Sequence, residues 1–376
     1  MKVFERILAL GALTAVCVTP AVGLSSSDDG RDDHAVFVMT NDAESNQVIA
    51  FQRTQYGTLL DPKRFSTHGR GSGGTVDPLA SQGSLTLTDD RSVLLAVNAG
   101  SGTLSAFRVF GSNLVLTDVV PTGGSEPNAV AQHGNLVYVL NTAGSSSVVG
   151  FQLRQGKLIR IPDSLRFLSA NGANSASLAF SADGRFLVVT ERATNDLDVF
   201  SVARDGRLSD IAVHPSAGPG AFSVTFTHDI AIVSETGPGT PNGSAISSYA
   251  VGSDRSLVPV SVSVPTLGTA NCWNVVTPDG RFVYVSNAGS ASISGFSIGP
   301  GGTLTSVPGT VLGLNPAGSA NLDIAISADG AYLYSLNAAS GAVGIFAIRS
   351  ADGTLTNLGT VSGLPAGAGL NGLAAN

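Results

Sequence analysis

Apolar residues in this chain fall in short runs separated by turn residues, and the runs come in sets of four. The clearest set reads SLAF at 177–180, FLVVT at 186–190, LDVFSV at 197–202 and LSDIAV at 208–213. Val, Ile, Phe and Tyr suit a pleated, half-buried surface, so each run predicts a strand. Asp183-Gly184 separates the first two runs and Asp205-Gly206 the last two. Asp-Gly supplies the positive φ of a tight hairpin turn. The same signal returns at Asp279-Gly280, Asp329-Gly330 and Asp352-Gly353. No run keeps an apolar period of 3.6 residues, so no helices are predicted.

The set is written many times. VYVSNAGSASISGFSI at 283–298 has near-copies starting at Leu94, Val137, Leu187 and Leu333. One aromatic closes each copy: Phe51, Phe107, Phe151, Phe200, Tyr249, Phe296 and Phe346, at intervals of 56, 44, 49, 49, 47 and 50. A period of 40 to 50 residues points to propeller blades rather than solenoid turns. The predicted fold is all-β: a seven-bladed β-propeller of four-stranded antiparallel blades over residues 34–376. The first copy begins at FVMTN, already the second-strand motif. The C-terminal GAGLNGLAAN resembles the innermost-strand starts EPNAVA and GSANLDIAI. The C-terminus is therefore predicted to complete blade one.

With strands labelled A to D from the axis outward, A–B and C–D turns share one face, and B–C turns share the other with the D–A crossovers. The Asp-Gly hairpins belong to the first face. The chemically varied segments belong to the second, so any pocket is expected at the channel mouth on the crossover face.

Composition narrows the function. The chain has 12% charged residues and a net charge of −7, with Lys only at positions 2, 63 and 157. Nothing resembles the basic stripe that neutralises phosphates, which argues against a nucleic-acid partner. At the N-terminus Lys2 and Arg6 precede an apolar run at 7–18, and small residues at 19–23 follow. This is the pattern of a signal peptide spanning 1–23, cut after Gly23, with 24–33 as an acidic disordered leader. The expected location is periplasmic or extracellular, with no membrane span in the mature chain. Cys17 leaves with the signal, so Cys272 has no disulfide partner and is expected to be a buried, inert thiol.

The B–C face carries a ladder: Asn41, Asn98, Asn141, Glu191, Glu235, Asn287 and Asn337. Asn in such turns bonds neighbouring backbone. Glu191 and Glu235 depart from it, and Arg192 follows Glu191. Two carboxylates and a guanidinium would suit a general base, an electrostatic partner and an oxyanion holder; a rim salt bridge is the bland alternative. The longest crossover, THGRGSGGTVDPLASQGSL at 67–85, offers His68, Arg70, Asp77 and Gln82 as substrate-loop candidates. Glu126 and Asn128 stand at another inner-strand start. Trp273, the only Trp, would either stack on a ring-shaped ligand or pack in the core. The five His show no HExxH or paired spacing, so no metal is expected.

FVMTN, VTPDGRFVYVSN at 276–287, FSADGRFLVVTER at 180–192 and the tail VSGLPAGAGLNGLAAN together resemble the seven-bladed propeller lactonase family. That family includes 6-phosphogluconolactonase-type proteins and carboxymuconate cyclases, with YVTN-repeat propellers as relatives. The resemblance covers 34–376. It implies opening or closing of lactone rings without a required metal or other cofactor, by a His, Arg and Glu set at the channel mouth. Thr190-Glu191-Arg192 resembles the acid-bearing second-strand end. The family's Pro-His is Pro127-Asn128 here, beside Glu126, and its Asn-Arg is Asn287-Ala288. These departures point away from a phosphorylated substrate. The expectation is a monomeric exported lactonase-like propeller taking a small lactone at the mouth, with Glu191, Arg192 and Glu235 as catalytic residues. The alternative is a non-catalytic propeller binding a ligand or protein.

Overall fold

The computed structural model describes residues 34–376. The predicted signal peptide and acidic leader lie outside the described residues. Seven antiparallel sheets follow one another along the chain, each running A to D in sequence order. The exception is blade one, whose order places Asn371–Ala375 innermost, then Ala35–Met39, Gln47–Arg53 and Leu59–Ser66. Ala375 pairs with Val36, Ala374 with Phe37 and Leu373 with Val38. The predicted closure by the C-terminus is therefore what the chain does. A single 3-10 turn, Pro300–Gly302, is the only helical element among the described residues.

Each aromatic of the ruler is buried on strand C between blades. Burying a side chain of that size contributes roughly 1.5–3 kcal/mol. A second repeated device joins neighbours: a strand-B Tyr hydroxyl donates to a glycine carbonyl in the next blade's C–D turn. Tyr138 reaches Gly206 at 2.7 Å, Tyr284 reaches Gly353 at 2.8 Å, and Tyr334 crosses the closure to Gly57 at 3.0 Å. The closure is reinforced by Arg53, 1% exposed, which meets the blade-seven turn carboxylate Asp329 at 3.0 Å and lies over the Tyr332 ring.

The A–B turns share one chemistry. Thr88, Ser181, Thr277 and Ser327 donate their hydroxyls to Asp90, Asp183, Asp279 and Asp329, two residues on. This Asx-type bonding explains the recurrent Ser/Thr-x-Asp pattern. Outer strands are less regular. LSDIAV, read as one strand, makes a single bridge at Leu208, and the fourth strand is Ala212–Pro215. Leu208 is buried in the core, 2% exposed.

Candidate functional site

The ladder positions sit at the ends of strand B, where each ties down the crossover that enters its own blade. Asn141 accepts from the Thr122 hydroxyl at 2.7 Å, and Asn337 donates to Asn315 at 3.0 Å. Asn98 and Asn287 act through Ser105 and Ser294, whose hydroxyls reach the carbonyls of Thr67 and Thr266 at 2.7 Å each.

Glu191 and Glu235 do the same work with a carboxylate. Glu191 accepts the Ser169 N–H at 3.0 Å, the Ser169 hydroxyl, and the Thr194 hydroxyl at 2.7 Å. Glu235 accepts from the Gly218 N–H at 3.0 Å, the Ser247 hydroxyl, and the Ser263 hydroxyl at 2.7 Å. Both residues have no exposed surface and share no partner, so the structure does not bring them to a common mouth. A carboxylate accepts up to four donors where Asn accepts two, which suits crossovers that offer several N–H and O–H groups. Beside Glu191 lies Asp198, also fully buried and sharing the Ser169 N–H at 3.2 Å. Burial, and then the neighbouring Glu191, push its pKa up.

The long crossover 67–85 occupies the channel instead of lying over it. Gln82 donates its side-chain amide to the Asn274 carbonyl at 2.7 Å and accepts the Asn274 N–H at 3.0 Å. Its own N–H reaches the Ala176 carbonyl at 2.9 Å. Ser81 bonds the Asn128 carbonyl at 2.7 Å, and the Trp273 indole N–H donates to the Ser81 carbonyl at 2.8 Å. One loop from blade two thus touches the inner strands of blades three, four and six. A cavity of about 190 Å³ lies on the crossover face, where a pocket was expected, with Asp42, Glu44, Arg64 and Pro365 in its lining. A cavity of about 520 Å³ opens at the hairpin face, with Gln82 and Gly83 in its lining and Asp89, Gln132 and His133 towards the turns. Of the two roles weighed for Trp273, the structure has core packing. That side chain is wholly buried, edge-on to Phe222 with ring centroids 5.1 Å apart.

The remaining candidates scatter. His68 and Arg70 are exposed, with the Arg70 N–H held by the Ser101 hydroxyl at 3.0 Å. Asn128 is buried and donates to the Ser175 carbonyl at 2.8 Å. Glu126 adopts φ 54°, the left-handed residue at the start of blade three; Asn174, Gly220, Ala270 and Ala320 fill the same place in blades four to seven.

Two candidates, Asp77 and Arg192, lie close enough for the charge of one to act on the other. Asp77, on the channel loop, is held at φ 48° and accepts a bond from Asn371 on the closing strand at 3.3 Å. Burial pushes its carboxyl up to about 7; the Asn371 bond and the charge of Arg192 pull the other way. Arg192 lies over the Phe222 ring at 5.6 Å and stays partly exposed. Among the described residues no carboxylate stands within ion-pair distance of it, whereas Arg53, Arg185, Arg207, Arg281 and Arg349 are each paired with an Asp. Two further groups feel Asp77. Cys272 is a buried free thiol whose pKa is raised well above the usual value, chiefly by burial, which fits the inert reading. Asp323, wholly buried, is also raised to about 7 by burial and accepts the N–H groups of Ile324 and Leu373. Sequence reasoning missed Asp323; its only signal was an acid within the otherwise apolar run NLDIAI. No cluster fit to hold a metal ion occurs among the described residues.

Fold and site together define a seven-bladed propeller with an acid and a free guanidinium where the crossovers meet the axis. Residues 266–368, blades six and seven, match the family described as "Lactonase, 7-bladed beta-propeller". Over 124 residues the chain is 27% identical to the 6-phosphogluconolactonase of Yersinia pseudotuberculosis serotype O:3 (strain YPIII), covering 31% of this chain and 37% of the relative. Only about a third of that relative's length is therefore matched. The structure of Pseudomonas aeruginosa periplasmic gluconolactonase superposes with a TM-score of 0.65 at 18% identity, covering 90% of this chain and 99% of that one. A protein from Lactobacillus plantarum superposes with a TM-score of 0.69 at 16% identity, covering 91% and 98%. At these identities the likeness speaks for the fold alone. The resemblance to seven-bladed propeller lactonases is borne out by the family match and the architecture. Neither Asp77 nor Arg192 lies in the matched segment.

Proposed function

We propose that this propeller hydrolyses a small lactone at the crossover mouth, with Asp77 as general base and then acid, and Arg192 as the oxyanion holder. The observation that carries the reading is a carboxyl pushed up to about 7 near a guanidinium without an acidic partner. A base titrating near the working pH is ionised often enough to take a proton and acidic enough to return it. The carboxylate of Asp77 takes a proton from water as the water oxygen attacks the lactone carbonyl carbon. Arg192 stabilises the negative charge on the former carbonyl oxygen. Collapse of the tetrahedral intermediate breaks the ring C–O bond, and the leaving alkoxide takes the proton from Asp77. The product is the open hydroxy acid, with atoms and charge conserved. One guanidinium acting on Asp77 suits an uncharged lactone better than a phosphorylated one, which draws on several Arg or Lys.

The relatives' descriptions support lactone chemistry. The N-terminal sequence pattern supports export to periplasm or medium, and a ring closed within one chain supports a monomer. A second reading, ligand binding without turnover, is favoured by the burial of Glu191 and Glu235 and by Pro127-Asn128 and Asn287-Ala288 standing where the family carries cationic groups. Acid release in a pH-stat, measured across a panel of lactones with the purified mature chain, separates the two. The hydrolase reading expects turnover above background and a roughly 100-fold or larger loss in Asp77→Asn. An unchanged kcat in that variant removes Asp77 from the mechanism, and no turnover of any lactone favours the second reading.

A further inference from the structure

We propose that the closing C-terminal strand is also part of the site, with Asn371 as the positioning residue that sets the carboxyl of Asp77. This rests on the reading of Asp77 as the acid–base group. Asn271, Asn321 and Asn371 each begin strand A, in blades six, seven and one. The first two turn their amides outward to the preceding blade: Asn271 to the Ala245 carbonyl at 2.7 Å, and Asn321 to the Ser286 hydroxyl at 2.7 Å and the Ser292 carbonyl at 3.0 Å. Asn371 breaks that pattern. Its amide donates forward to Asp77, on the crossover into blade two, at 3.3 Å; like the other two it is wholly buried with no partner on its carbonyl oxygen.

The strand bulges as it does so. Its register with blade one shifts between Val38 and Met39, opposite Gly372 at φ 81°. The tail just before it is pressed onto the same loop. Gly369 donates its N–H to the Thr75 carbonyl at 2.9 Å, its carbonyl accepts from Asn41 at 3.3 Å, and a Cβ there would stand 3.0 Å from the Gly73 carbonyl. Leu373 adds an N–H to Asp323 at 3.1 Å. The segment that shuts the ring therefore also grips the loop bearing the acid. The charged and titratable groups facing Asp77 come from three other blades: Arg192 from blade four, Cys272 from blade six and Asp323 from blade seven.

The test is a pH titration of the Asp77 carboxyl carbon by NMR in full-length protein carrying labelled aspartate, with the resonance assigned by its absence in Asp77→Asn. In Asn371→Ala the midpoint should rise by about one unit, because a donor to the ionised form is gone. Asn371→Ser, which keeps a donor, should restore part of the shift and is the second variant should Asn371→Ala fail to fold. With a substrate in hand, the acid limb of the kcat profile should move with the NMR midpoint while KM stays within about twofold. An unmoved midpoint in both folded variants overturns the positioning role. A shifted midpoint in a protein that turns over no lactone leaves that role standing and discards the hydrolase reading alone.

Discussion

At the hairpin end of the channel, four blades close their A–B turns with the same hydroxyl-to-Asp bond, and most turn carboxylates are matched by an Arg. At the crossover end the segments differ in length and content, one of them runs into the channel, and Arg192 stands without an acid beside it. Repetition at the first end leaves most turn charges paired and a cavity with only Asp89 and His133 as titratable side chains in its lining. Irregularity at the second end leaves acids partly or wholly buried, and burial raises the carboxyls of Asp77, Glu235 and Asp323. The contrast separates scaffold from site within one repeat. Hairpins need only to turn the chain, whereas crossovers must each reach the axis by a different route, and that freedom is where chemistry accumulates.

The largest expected effect tests that separation directly. Asp77→Asn should lower kcat on an accepted lactone by roughly 100-fold or more. Asp89→Asn, in the lining of the hairpin-end cavity, should leave kcat within about twofold. Matched melting curves guard against unfolding. A comparable loss in both variants would erase the distinction between the two ends.

Next in size is the clamp of blade five. Glu235→Ala leaves the Gly218 N–H and the Ser247 and Ser263 hydroxyls without their acceptor. Unsatisfied buried donors cost about 1–3 kcal/mol each before relaxation, so a loss of about 3 kcal/mol is expected from denaturant midpoints. Asp205→Asn, in an exposed hairpin turn, should leave the midpoint in place. A mild Glu235→Ala would mean that the crossovers hold themselves and that the ladder is incidental.

The third prediction concerns pH. The carboxyl of Asp323 is raised to about 7 in the folded protein, against about 3.9 in an unfolded chain. Between those values the folded form keeps a proton that the unfolded form has lost. The contribution of this group is therefore fully present below about pH 4 and is lost as pH rises through about 7. Asp323→Asn, which cannot ionise, should flatten the fall of Tm over that window while leaving the melting curve at the acid end cooperative. An unchanged slope would place the titration elsewhere, with Asp77 the next group to replace.

Much of the wheel was legible because its signals are local and repeated. The seven aromatics, the Asp-Gly turns and the likeness of GAGLNGLAAN to inner-strand starts predicted blade number, strand order and closure, and all three hold. The site was legible only in fragments. Glu191 and Glu235 stood out as carboxylates in an Asn ladder, yet what they face depends on crossovers whose path no spacing reveals. Asp77 and Arg192 were both named, but their proximity depends on a loop folding into the channel across blades. Such a route is set by long-range bonds such as Gln82 to Asn274, 192 residues apart. Asp323 was hidden because a buried acid in a strand looks, one residue at a time, like an exposed one.

The smallest effect lies at the left-handed residue that starts the inner strands of blades three to seven. Ala270 holds φ 53° there in blade six, and Gly220 holds φ 77° in blade five. A side chain in that region costs about 1 kcal/mol, and glycine gives some of the gain back through the greater freedom of the unfolded chain. Ala270→Gly should therefore stabilise by about 0.5 kcal/mol in urea unfolding. The reverse change at the same place should do the opposite and more strongly. A Cβ on Gly220 would meet the Thr236 hydroxyl at 1.9 Å, so Gly220→Ala adds a clash to the backbone strain and should cost more than about 1 kcal/mol. If both substitutions were neutral, the crossover face would bend more easily than its bonds imply. A face that soft would not hold Asp77 against Asn371 closely enough to set its protonation.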